Sequence, residues 1–393
     1  MSLDIAAVQN HLQVDALDGW LLYDFHGSNP IATSLAGLTG AHTTRRWYYF
    51  VPATGMPQKL VHAIEPAVLD GLPGHTRQYA GRQALERGVQ DMLGTSRRVA
   101  MEFSPAGAIP YISRVDGGTI DFVRSFGIDV VSSGDLVGRF EAAWDDRAVE
   151  THRAASAHLH RIKNEAFAFV GSRLSANVPV HEFEVQQQML AWFAEAGLIT
   201  DAPPIVAAQE NAGNPHYAPD ASRTRPIRSN ELLLLDLWGK IAQPRAVYAD
   251  ITWVGFSGEA PADIRRAFDV AVAGRDAAVD LVERRIASRA PVRGFEVDRA
   301  ARDTIAAAGY GDAFIHRTGH SLGEEVHGNG VHMDDYETHD DRRLLPGTGF
   351  TIEPGIYTPT FGVRTELNMV VGAETAVVTG PRQRALVTIP TRS

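Results

Sequence analysis

The 393-residue sequence contains no cysteine. That excludes disulfides, thiolate nucleophiles and any zinc or iron–sulfur site built on sulfur, and it fits a cytoplasmic protein. No stretch reaches the roughly 20 apolar residues that a membrane-spanning helix needs. The opening segment MSLDIAAVQNHLQVDALDGW lacks a basic start followed by an apolar run, so no secretory signal is expected. Positive charge is in deficit: 37 Lys and Arg stand against 47 Asp and Glu, a net charge of −10. The basic footprint of a nucleic-acid-binding protein is therefore missing. The chain also has no repeat at a fixed short period, no low-complexity segment and no HExxH zinc motif.

What is present reads as an ordinary globular protein, with 44% hydrophobic and 21% charged residues. The length predicts two domains. In the first third, residues 20–25, 45–53, 59–64 and 98–103 have the aromatic and branched composition of strands. Residues 81–94 carry apolar positions three and four apart, as a helix does. This is an α/β pattern without evident chemistry. Near residue 142 the texture changes to long helical patterns over 145–174, 182–196, 262–288 and 296–308. We expect an N-terminal domain over 1–143 and a catalytic domain over 144–393. Four strand-like runs lie among the later helices: 231–239, 247–256, 348–357 and 363–371.

Each of those four runs holds one acidic residue in apolar company: Asp236, Asp250, Glu353 and Glu366. A carboxylate buried alone costs several kcal/mol or takes up a proton. One reading gives each acid its own ion pair or an exposed strand edge. The other brings all four together around cations, where four negative charges match two divalent ions. With one histidine added, such a set is hard and oxygen-rich, suited to Mn²⁺, Co²⁺, Fe²⁺ or Zn²⁺.

The segment HRTGHSLGEEVHG (316–328) supplies three histidines, His316, His320 and His327. His316 and His320 are four apart, but Gly319 and Gly323 disfavour a helix there. The segment is expected to be a loop or strand that presents its side chains one at a time. For each histidine, an ordinary hydrogen-bonded loop residue is the plain alternative to a ligand or catalyst.

These elements resemble, in order, the motifs of the pita-bread metallopeptidases, in the prolidase and aminopeptidase P branch. PHY (215–217) precedes LLLLDLWGK with Asp236 and YADIT with Asp250; HRTGHSLGEEVHG, TIEPGIY with Glu353 and VRTEL with Glu366 follow. The resemblance covers residues 145–393. It implies a creatinase-like N-terminal α/β domain followed by a pita-bread α+β catalytic domain. It also implies Asp236, Asp250, His320, Glu353 and Glu366 as ligands of two divalent ions, manganese first among Mn, Co, Zn and Fe.

The reaction so implied is hydrolysis of the bond before proline in a small peptide, by a hydroxide bridging the two ions. Glu353 would move the proton, and His327 with His216 would steady the carbonyl oxygen. His316 and Arg364 would line the substrate site. A homodimer is also implied, and a dipeptidase is favoured over an aminopeptidase acting on longer peptides or a hydrolase or lyase of small osmolytes. The loop 332–343 offers His339, Arg342 and Arg343 either as a clamp for a dipeptide carboxylate or as solvated surface charges. In the N-terminal part, Arg45, Arg46 and Trp47 begin an ordinary strand or, as in the family, face a neighbouring subunit. Two departures stand beside the metals. Asp236 and Asp250 are farther apart than the family's usual interval, the excess falling in a hairpin turn. Trp238 and Trp253 replace smaller or charged family residues.

Overall fold

A computed structural model describes residues 3–392. The chain divides after Ala142 into two compact units.

The first unit is a six-stranded mixed sheet in the order β4-β3-β2-β1-β5-β6. Its strands are β1 (Gly19–Asp24), β2 (Trp47–Pro52), β3 (Gln58–His62), β4 (His75–Tyr79), β5 (Arg98–Met101) and β6 (Asp129–Ser132). Successive residues of β1 alternate between two cores. Trp20 and Leu22 pack with α1 (Ile5–Val14), α2 (Pro30–Leu35) and α5 (Gly134–Phe140), while Leu21 and Tyr23 pack with α3 (Arg82–Leu93) and α4 (Gly117–Arg124). Strand β4 has no counterpart among the strands expected from sequence. Its sequence HTRQY is polar and almost wholly exposed at the sheet edge, so it carries no apolar alternation to read.

In the second unit, α6 (Asp146–Ser175) opens with Asp145, whose side chain accepts from the Ala148 amide and satisfies one of the helix's free N–H groups. It is followed by α7 (Glu182–Glu195), β7 (Leu198–Ile199) and β8 (Ile205–Ala208). Next come β9 (Leu232–Ile241) and β10 (Ala249–Ser257), an antiparallel pair in which Asp236 faces Thr252 and Asp250 faces Trp238. The extra residues between the two aspartates lie in the turn and leave this register intact. Leu233, Leu235 and Leu237 point to one face and pack beneath α6 with Ala249 and Ile251. Leu232, Leu234, Val254 and Phe256 point to the other face, against α8 (Ala262–Ala287). Asp236 and Asp250 share the parity of this second set, so both are directed away from the face that α6 covers.

After α9 (Gly294–Ala307) and β11 (Ser321–Leu322), the chain forms β12 (Gly349–Ile352), β13 (Gly355–Tyr357), β14 (Gly362–Arg364) and β15 (Leu367–Val371). It closes with β16 (Ala376–Val378) and β17 (Val387–Ile389), the latter parallel to β10. The strands expected over 348–357 and 363–371 are each broken, and each break falls at the glutamate. Pro354 has no N–H to continue a ladder after Glu353. Glu366 leaves its ribbon because its N–H donates to the Thr252 carbonyl of β10, at 3.1 Å. The breaks turn both glutamates toward the aspartate-bearing strands. No helix among the described residues is long and apolar enough to cross a membrane.

Candidate metal centre

Strand parity and the two breaks bring the acids together. Ligand atoms of Asp250, His320 and Glu366 lie within 4.8 Å of one another, and all three residues are buried. Glu353 approaches the same imidazole, with Oε1 3.4 Å from His320 Nε2, and Asp250 Oδ2 lies 3.6 Å from that nitrogen. Asp236 is turned toward Arg364, whose Nη2 donates to its Oδ2 at 2.5 Å.

Each ligand is braced. His320 Nδ1 donates to the Ser321 carbonyl at 3.2 Å, which leaves the Nε2 lone pair aimed at the carboxylates. The His320 amide donates to Thr351 Oγ1 at 2.9 Å, and that hydroxyl donates to Glu353 at 3.1 Å. Thr252 Oγ1 donates to Glu366 at 2.8 Å and accepts from Arg364 Nε at 3.0 Å. Asn368 grips both backbone groups of Asp250. Sequence reasoning missed Thr252, Thr351, Tyr357 and Asn368, because no motif spacing marks them. For Thr252, Thr351 and Asn368 a signal is present: each is a polar residue two positions from a carboxylate in an otherwise apolar run.

Gly319 permits the approach of His320 to Thr351. A Cβ at position 319 would stand 2.0 Å from the Thr351 carbonyl oxygen. Gly319→Ala should therefore cost roughly 1–3 kcal/mol of stability, as overpacking does, and weaken metal binding with it. Denaturant unfolding and metal titration of the variant check this; a wild-type midpoint and affinity would contradict it.

The electrostatics are those of a cluster that needs cations. Burial first, and then the charges of Glu366, Asp236 and Glu353, push the Asp250 carboxyl well above its usual range. Burial, then Glu353 and Asp236, do the same to Glu366. Burial raises Glu353 to about 7, with Asp236 adding to it and Arg364 opposing. Burial, then the proximity of the His327 imidazole and the Arg317 charge, disfavour a proton on His320 and hold it neutral, the state in which imidazole binds metal. Asp250 Oδ1 and Glu366 Oε1 are buried without a hydrogen-bond partner among the described residues. Orphaned, mutually repelling oxygen donors beside a neutral imidazole fit hard divalent cations.

A pH dependence follows. Raised carboxyl pKa values mean that these groups hold more protons in the metal-free folded chain than in the unfolded chain, so their contribution to stability falls as pH rises. For Glu353 the fall runs from the ordinary value of 4.5 up to about 7. Above about pH 7, where the buried histidines His316, His320, His327 and His332 no longer take up protons on unfolding, chelated protein should melt at progressively lower temperature up to about pH 8, whereas protein loaded with divalent ions should not. A flat profile for the chelated protein would contradict the cluster's charge balance.

The remaining expected residues surround this core. The His327 ring stands edge-on to His320, centroids 4.4 Å apart, and burial lowers its pKa to about 4. His216 is exposed in its loop and close enough for its charge to act on His327. His316 is joined to the site through Tyr357, whose hydroxyl also accepts from Arg364. The His316 Nε2 bonds the Tyr357 hydroxyl at 2.8 Å and its Nδ1 the Arg317 carbonyl at 2.7 Å. Arg364 is buried and committed to Asp236, Thr252 and the Tyr357 hydroxyl, the last at 2.9 Å. Arg342 is neither a surface charge nor a clamp. It is buried, pairs with Asp340 at 2.6 Å and donates to the carbonyls of Asn329 and Gly330 at 2.7 Å each. His339 is paired with Asp335 at 2.6 Å.

The sequence pattern of metallopeptidase family M24 matches residues 149–373. An Xaa-Pro dipeptidase of Lactobacillus delbrueckii subsp. lactis is 38% identical over 163 residues, 41% of this chain and 40% of that one. A probable dipeptidase PepE of Mycobacterium tuberculosis is 26% identical over 269 residues, 68% of this chain and 66% of that one. The matches thus span between two fifths and two thirds of these relatives' lengths. The solved structure of dipeptidase PepE from Mycobacterium ulcerans superposes with a TM-score of 0.69 at 23% identity, covering 98% of this chain and 97% of that one. The shared fold is a pita-bread catalytic domain preceded by an N-terminal α/β domain.

Proposed function

The chain belongs to metallopeptidase family M24, and from that premise we propose that it is an Xaa-Pro dipeptidase that uses two divalent ions. The observation that carries this reading is the buried cluster of Asp250, His320 and Glu366, with Glu353 against the same imidazole. The dipeptidase names of the relatives supply the substrate class.

In this reading Asp236, Asp250, His320, Glu353 and Glu366 hold the ions, and the predominance of carboxylates favours manganese over cobalt, zinc or iron. When bound, the ions supply Lewis acidity, polarising the scissile carbonyl and making water acidic enough to attack near neutral pH. Glu353, set against the His320 imidazole at the edge of the cluster, can accept a proton from the attacking water and return it to the departing prolyl nitrogen. His327, uncharged at neutral pH, offers an N–H to the carbonyl oxygen as negative charge develops there, with His216 beside it. One such donor contributes about 3–4 kcal/mol in other hydrolases. Arg364 is a positioning residue: it fixes the Asp236 carboxylate and, through Tyr357, the His316 ring. His316 lines the substrate site. A homodimer and a cytoplasmic location belong to the same reading and rest on the family resemblance.

The test is hydrolysis of Ala-Pro against Ala-Pro-Ala by chelated enzyme resupplied with Mn²⁺, Co²⁺ or Zn²⁺. Cleavage of Ala-Pro in clear preference supports the dipeptidase reading. Faster cleavage of the tripeptide would overturn it in favour of an aminopeptidase. Metal-dependent cleavage of neither would remove proline peptides altogether.

A further inference from the structure

Strand β9 carries Trp238 two residues beyond Asp236, hence on the same, metal-facing side. The indole of Trp238 is half-buried, and its Nε1–H donates to Asp201 Oδ1 at 2.6 Å. The Asp201 backbone also lies close enough to Tyr248 to act on its hydroxyl, so this loop residue stands beside two aromatic side chains. Its charge also reaches the His327 imidazole, and Glu325 places a second negative charge near Tyr248. The Asp201 carboxylate is exposed, and no cationic side chain among the described residues pairs with it. Lys240 lies 5.0 Å from the Tyr248 ring centroid but donates to the Glu324 carbonyl rather than to Asp201.

We propose that Asp201, Trp238 and Tyr248 form the specificity wall for the first residue of the substrate and select a cationic side chain, lysine or arginine. The inference rests on the Xaa-Pro reading above. A carboxylate set beside indole and phenol rings attracts cations both by its charge and through the ring quadrupoles. The proline end of the substrate brings a hydrocarbon ring and a carboxylate, and neither complements such a wall. Only the first residue can bring positive charge to it. The side chain, rather than the α-ammonium shared by every substrate, is what makes the wall discriminate.

The test compares kcat/KM for Lys-Pro, Ala-Pro and Glu-Pro in Mn²⁺-loaded wild type and Asp201→Asn. Asparagine retains an oxygen to accept from the Trp238 indole and removes only the charge. Wild type should favour Lys-Pro over Ala-Pro by about fivefold and disfavour Glu-Pro, with the preference weakening as salt rises. In Asp201→Asn the Lys-Pro to Ala-Pro ratio should fall toward one. An unchanged ratio would overturn the proposal. So would an equal loss on all three dipeptides, which would place the α-ammonium, not the side chain, at Asp201. Failure of the metal-loaded wild type to cleave any of the three would overturn the Xaa-Pro reading itself, and this inference with it.

Discussion

His320→Ala is expected to lose metal and hydrolysis together, whereas His327→Ala keeps the metal and loses most of the rate. His320 sits inside the carboxylate cluster, with Nε2 3.4 Å from Glu353 and 3.6 Å from Asp250. Removing it leaves the buried acids without their neutral nitrogen donor, and metal affinity and activity should both fall to background. His327 stands one ring farther out, edge-on to His320. Its loss removes a hydrogen bond made as charge develops on the carbonyl oxygen, which costs about 10²–10³-fold in kcat at comparable sites. Metal content by mass spectrometry, measured beside kcat on Ala-Pro, separates the two. A His327→Ala protein without metal would show that the roles are assigned wrongly.

The largest effect on stability is expected at Arg364. Its buried guanidinium holds Asp236 at 2.5 Å and also contacts Thr252 and the Tyr357 hydroxyl. Arg364→Met keeps much of the side chain's bulk but strands the Asp236 carboxylate in a low-dielectric setting. Breaking one side of a buried ion pair costs about 3–5 kcal/mol. Urea unfolding of the chelated variant should show that loss. Divalent ions should reduce it, because they neutralise the same carboxylate. A loss below about 1 kcal/mol in the chelated protein would mean that the pair does not hold Asp236.

The parts of the site visible in the sequence are those that violate a pattern. An acid following four leucines, at Asp236, contradicts the composition of a buried strand, and parity then puts Asp236 and Asp250 on one side. Glu353 and Glu366 are visible as acids, but their sequence surroundings read as continuous strands. The chain breaks at both, because Pro354 ends one ladder and the Glu366 amide is drawn to β10. Thr252, Thr351 and Asn368 are short polar residues marked only by lying two positions from a carboxylate, and their bracing role depends on what lies opposite them across the strands. Arg342 shows the converse. Its charged neighbourhood in DDRR suggests a surface, yet a fixed set of carbonyls and Asp340 buries it. Strand β4 is hidden for a different reason, since an exposed edge strand needs no apolar residues.

The central claim is that this cluster binds divalent ions and hydrolyses the bond before proline with them. Its most direct test is the rate of Ala-Pro hydrolysis by fully chelated enzyme as Mn²⁺ is added back. The account predicts no hydrolysis without metal and a rate that rises to a plateau at about two equivalents per chain. Hydrolysis that persists in the chelated enzyme, or that never appears as metal is restored, would contradict it.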